Sequence, residues 1–117
     1  MSGIRHAGGA RSGLTIWLLQ RVSAVWMALV TPLFLWLLLM GDPLDYPVWV
    51  ALFQPLYAKL IALLTVAALL VHAWIGLREV MMDYVQIMAL RLPLLFVFLM
   101  GALLCFAWSA HILWGLV

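Results

Sequence analysis

Charge is what this chain has least of. Six Lys and Arg and four Asp and Glu make up 9% of its 117 residues. A water-soluble domain carries roughly 25% charged residues, so the chain lacks the polar side chains to cover a water-facing surface. Its net charge of +2 is small and the basic residues are dispersed, which argues against nucleic acid as a partner. Cysteine is nearly absent as well. Cys105 stands alone, which excludes an internal disulfide and a cysteine-held metal cluster; in its apolar run it reads as a small hydrophobe. Flavin-binding and iron–sulfur motifs are also missing. The first fifteen residues carry Gly, Ser and Arg but no apolar core, so they do not read as a signal peptide. The first apolar run is too long for a signal core and has no small-residue cleavage site after it, so it reads as an uncleaved span.

Hydrophobic residues, by contrast, form 69% of the chain, with a mean hydropathy of +1.23. Three apolar segments stand out, from Val22 to Met40, Leu56 to Leu77 and Leu92 to Leu116, and none contains an acidic residue. A helix needs about 20 apolar residues to cross the hydrocarbon layer, so each can span. The expected fold is all-α and integral to the membrane, a single anchor domain of three transmembrane helices with no separate soluble domain. Gly41-Asp42-Pro43-Leu44-Asp45-Tyr46-Pro47 reads as a loop from its Gly, Pro and Asp content. The stretch from Arg78 to Arg91 is polar and extends the second helix past the surface. Pro32 is expected to kink the first helix, and Pro93 to sit in the first turn of the third, where its missing N–H costs little.

Orientation follows from the positive-inside rule. Arg5, Arg11 and Arg21 precede the first span, and Arg78 and Arg91 separate the second and third. The other loop holds Asp42 and Asp45, with Lys59 its one nearby base. The N-terminus and second loop are therefore expected in the cytoplasm, with the C-terminus periplasmic. Trp17 near the inner surface, and Tyr46, Trp49, Trp108 and Trp114 near the outer one, fit interfacial belts.

Few residues can carry chemistry. His72 lies within the second span, about 9 Å inside Arg78 at the rise of a helix. Ionisable groups at that depth are costly and face a partner or cofactor. Thr65, Leu69, His72, Gly76, Glu79 and Asp83 follow steps of three and four, a stripe expected to face the bundle interior. Gly76, one turn from His72, would let a flat group approach the backbone. Neutral imidazole suits haem iron; the alternative is a histidine hydrogen-bonded across helices. His111 lies about 20 Å from His72 in depth at that rise, so the two cannot share one iron. It reads as an interfacial packing residue, and His6 as part of a solvated tail. Asp83 and Tyr84 end the second helix at the cytoplasmic surface. There a phenol can donate to a quinone carbonyl beside a supporting carboxylate, or the pair is an anchor beside a solvated acid. Arg21 is either a topology charge or a partner for a haem propionate. Gly101, Cys105 and Ser109 form a small-residue seam suited to close helix packing.

The run His72-Ala73-Trp74-Ile75-Gly76, followed by Val80, Asp83-Tyr84 and Ala89-Leu90-Arg91-Leu92, resembles the family of small hydrophobic membrane-anchor subunits of bacterial succinate dehydrogenases. Length and three-helix layout match too. The resemblance implies that His72 is one axial ligand of a haem b, the other coming from a sister cytochrome b anchor subunit. It implies that Tyr84 donates to ubiquinone, that Asp83 supports it, and that Arg21 lies near the haem propionates. Some relatives carry a His-Asp pair where this chain has Thr15-Ile16, so no propionate contact is carried over from that stretch. The implied function is to anchor a flavoprotein and an iron–sulfur subunit to the bacterial inner membrane and help form the ubiquinone-reducing site of respiratory complex II. The isolated chain would be inactive. A quinol-oxidising fumarate reductase anchor and a purely structural assembly subunit are the alternatives. A transporter is disfavoured, since the intramembrane polar residues are too few to line a path.

Overall fold

Apolar residues on every side of a helix leave it no face for water, and all three long segments fold this way. A computed structural model describes residues 13–115, together with the helical backbone back to Ser2. Arg5, Arg11, His6 and Leu116, named above as topology charges, tail and span end, lie outside the described residues. Four helices follow one another: α1 (Ser2–Met40), α2 (Tyr46–Phe53), α3 (Leu56–Tyr84) and α4 (Met88–Trp114). Gly13–Met40, Leu56–Tyr84 and Met88–Trp114 have mean hydropathies of 2.2, 2.3 and 2.3 over their most apolar stretches. Their 27 to 29 residues are ample against the ~20 that a bilayer requires. The chain is thus an all-helical protein with three membrane-spanning helices.

The short helix α2 was not legible as such. Asp45 caps it, accepting a hydrogen bond from the Val48 N–H at 3.0 Å, and Pro47 sits in its first turn. Both are helix-start signals. Phe53 of α2 stacks at 5.9 Å on Phe34 of α1 and at 4.8 Å on Trp49, which pins the connection onto the end of the bundle.

At the other end, α3 continues through Tyr84 as expected, closing with the Val85 N–H on the Met81 carbonyl at 3.0 Å. Only residues 85–87 link it to α4, because Leu90 and Arg91 already bond back to the Ile87 carbonyl at 3.1 and 3.0 Å. Arg91 therefore belongs to the first turn of α4 and not to a loop. Pro93 is correspondingly displaced from its expected place. It lies inside α4, beyond the first turn, where a residue with an N–H would have bonded the Ala89 carbonyl. Helix α1 runs without a break across Pro32.

Helix α3 is the centre, packing antiparallel against α1 on one side and α4 on the other. Among the described residues only Ile75, Met81, Leu113 and Ser23 are buried. Three helices with so little interior present almost all of their apolar surface outward, which lipid or partner helices must cover.

Candidate functional site: an imidazole held from the first helix

His72 and helix α1 are brought together by the antiparallel packing, so that later residues of α1 meet earlier residues of α3. Trp26 Nε1–H donates to Thr65 Oγ1 at 3.0 Å, and one level further on Gln20 and Ser23 meet His72. His72 Nδ1 lies 3.3 Å from the Gln20 carbonyl and 3.2 Å from Ser23 Oγ. The Ser23 hydroxyl donates to the same Gln20 carbonyl at 3.0 Å. A carbonyl can only accept, so the network places the ring hydrogen on Nδ1; with the hydroxyl hydrogen already committed, Ser23 Oγ accepts from the ring. Nε2 then keeps its lone pair, and among the described residues it has no hydrogen-bond partner.

A neutral imidazole tied back through Nδ1–H to a carbonyl is the state in which histidine ligates metals through Nε2. Among the described residues no three His, Cys, Asp or Glu side chains cluster, so they offer a single imidazole at this site and no multidentate cage. That donor set fits haem, whose macrocycle fills the equatorial positions and asks the protein for axial ligands only. Gly76, one turn along, fits as well: a Cβ built there meets nothing within 4 Å, which leaves room beside the backbone for a flat group from outside this chain.

The stripe through His72 divides. Thr65 and His72 face α1 and are half-buried, whereas Leu69, Glu79 and Asp83 are exposed. It is therefore not interior to this chain's own bundle, because the contacts of α3 with α1, α4 and the short α2 leave these positions uncovered among the described residues. Tyr84 is 81% exposed at the last residue of α3. It lies twelve residues from His72, about 18 Å along the axis, so the imidazole and the phenol belong to different sites. Arg21 sits on α1 between Gln20 and Ser23. Its side chain is exposed, with the guanidinium 5.3 Å from the Trp17 ring centroid.

The remaining candidates settle as structural contacts. His111 is exposed and stacks 5.6 Å from Trp108, an interfacial pairing in keeping with its expected role. Lys59 lies 5.7 Å from the Trp114 ring. In the small-residue seam, Ser109 donates to the Cys105 carbonyl at 2.7 Å. No helix of this chain closes on Gly101, since a Cβ there also meets nothing within 4 Å. An open groove of about 390 Å³ between α3 and α4 runs past Gly101 and Cys105 instead.

Ser23, Gln20 and Trp26 carry no signal in the sequence that marks them as site residues. Ser23 is noticeable as one of two hydroxyl residues, with Thr31, in an apolar run, but its partner lies 49 residues away, a pairing that no local pattern encodes.

Comparison with known proteins agrees with this architecture. Residues 1–108 match the family described as succinate dehydrogenase/fumarate reductase transmembrane subunit. The succinate dehydrogenase hydrophobic membrane anchor subunit of Coxiella burnetii (strain RSA 493 / Nine Mile phase I) is 32% identical over 105 residues, covering 90% of this chain and 91% of the relative. A family match across nearly the whole chain, joined to three apolar spanning helices, places this protein in the succinate dehydrogenase/fumarate reductase transmembrane-subunit family, as a membrane anchor of that complex.

Proposed function

We propose that this chain anchors a bacterial succinate:ubiquinone oxidoreductase to the inner membrane, holds a haem b through His72, and lends Tyr84 and Asp83 to the ubiquinone-reducing site. The observation that carries the reading is the fixed imidazole. His72 donates through Nδ1 to Gln20 and Ser23 and leaves Nε2 without a partner among the described residues, as an axial ligand requires.

Within that reading, each of the chain's residues has a defined task. His72 would hold the haem through one nitrogen, and a sister cytochrome b anchor subunit on the open side of α3 would supply the other protein ligand. Arg21, beside Gln20 on α1 and exposed, is the cation available for a propionate. The haem, when bound, would supply a one-electron store within the membrane. Tyr84 donates its phenol hydrogen to a quinone carbonyl, polarising it as charge builds on the oxygen. Asp83 orients that donor and relays protons from the cytoplasmic surface, two being taken up with two electrons as quinone becomes quinol. Electrons reach this end of the chain from succinate by way of the flavoprotein and iron–sulfur subunits, which must dock where α3 and α4 meet at residues 85–87.

The reading is tested by a dithionite-reduced minus oxidised spectrum of the purified complex, wild type beside His72→Ala. A b-type signal that is lost or displaced in the variant is the expected result. An unaltered haem signal removes His72 from the iron, and no haem in the wild type leaves a haem-free anchor.

A further inference from the structure

We infer that Ser23 is a positioning residue for His72, its hydroxyl helping the Gln20 carbonyl to hold the ring plane with which the imidazole meets the haem; the inference rests on His72 being an axial ligand. Ser23 is the one buried polar residue among those described, at 5% exposure. A hydroxyl in an apolar interior must find partners, and this one finds two: it donates to the Gln20 carbonyl at 3.0 Å and accepts from His72 Nδ1 at 3.2 Å. The other acceptor for Nδ1–H, the Gln20 carbonyl, stands at 3.3 Å. The two acceptors therefore share the ring hydrogen, and the hydroxyl is the one that a side-chain substitution can remove.

Two consequences follow from the chemistry. A ring that donates firmly through Nδ1 is a more basic ligand at Nε2, which favours the ferric state. A ring freed from the hydroxyl can turn about its χ2 torsion, a broad well for histidine, and so loosens its hold. Because the hydroxyl is on α1 and the ligand on α3, the packing of these two helices is transmitted to the imidazole.

Threonine and valine have nearly the same shape and differ in the hydroxyl, so Ser23→Thr and Ser23→Val separate hydrogen bonding from packing. The assembled complex carrying each variant would be compared with wild type in haem midpoint potential and in the rate of haem transfer to excess apomyoglobin. Ser23→Val is expected to raise the potential and speed haem loss about tenfold, the low end for removing an outer partner of a metal-bound histidine, while Ser23→Thr stays close to wild type. Equal shifts in both variants would reveal a packing effect, and no shift in either would show the hydroxyl idle; each result overturns the inference. His72→Ala in the same series separates the two layers. If that variant keeps its haem signal, the axial-ligand reading fails and the role of Ser23 fails with it.

Discussion

Among the described residues the Tyr84 hydroxyl has no hydrogen-bond partner, and the side chain is 81% exposed at the end of α3. Removing only its hydroxyl isolates the proposed donor. Tyr84→Phe is expected to lower succinate-driven quinone reduction about a hundredfold, the scale for loss of one donor to a developing oxyanion. Reduction of a soluble dye by the flavin and iron–sulfur subunits should stay at the wild-type rate. Equal quinone rates in the two proteins would return Tyr84 to the role of interfacial anchor. Gly76 gives a second test on the His72 side of the helix. A Cβ at Gly76 meets nothing within 4 Å of this chain, so Gly76→Leu should not disturb the α1–α3 contact. Haem content should nevertheless fall severalfold in the purified complex if a flat group lies against that backbone. Full haem occupancy in Gly76→Leu would place the haem on another side of α3.

Between helices, hydrogen bonds are what fix the register of otherwise uniform apolar surfaces. Trp26 to Thr65 and Ser23 to His72 are two rungs between α1 and α3. In lipid such bonds are worth about 0.6 kcal/mol on average and up to about 1.7. A double-mutant cycle of Trp26→Phe and Thr65→Val, followed by thermal unfolding of the detergent-solubilised complex, should give a coupling energy in that range. Additive losses would mean that the rung contributes no net stability. Elements of this kind mark where local sequence patterns stop being informative. The three spans were legible because apolar length is a local property, and His72, Asp83 and Tyr84 because polar groups stand out against it. The rungs were not, since Gln20 and Ser23 acquire their meaning from a residue about fifty positions away. Helix α2 was hidden by its own loop-like start: Asp45 and Pro47 signal a turn and a helix cap equally well, and only the docking of Phe53 on Phe34 shows which. Pro93 was misplaced because Met88, Ala89 and Leu90 prolong α4 backwards past the end of the apolar run. Strong helix formers at a membrane surface extend a helix without changing hydropathy much.

For the molecule as a whole, the excess of outward-facing apolar side chains decides which surfaces lie in lipid or against partners, while the few charges decide which way round it sits. Basic residues near span ends are retained on the cytoplasmic side. Here Arg78 opens the polar extension of α3 and Arg91 lies in the first turn of α4, while Arg21 lies in the half of α1 nearest them; the opposite end has Asp42, Asp45 and Lys59. The antiparallel order of α1, α3 and α4 puts residues 85–87 at the same end as the start of α1, and residue 115 at the end that carries α2. Alkaline phosphatase, active only outside the cytoplasm, reads these ends directly. Fused after Gly115 it should be active, and inserted at residues 85–87 it should be inactive, with green fluorescent protein fusions giving the reverse pattern. Replacing Arg78 and Arg91 by Asn while adding two Lys beside Asp42 should erode that difference, because orientation depends on the bias of basic residues between short loops and acidic residues add little. Should the parent chain give the opposite pattern, Tyr84 and Asp83 would open to the periplasm, away from cytoplasmic protons. The proposed quinone site could not then take up protons from the side assigned to it. Topology is therefore a direct check on the chemistry, independent of any spectrum.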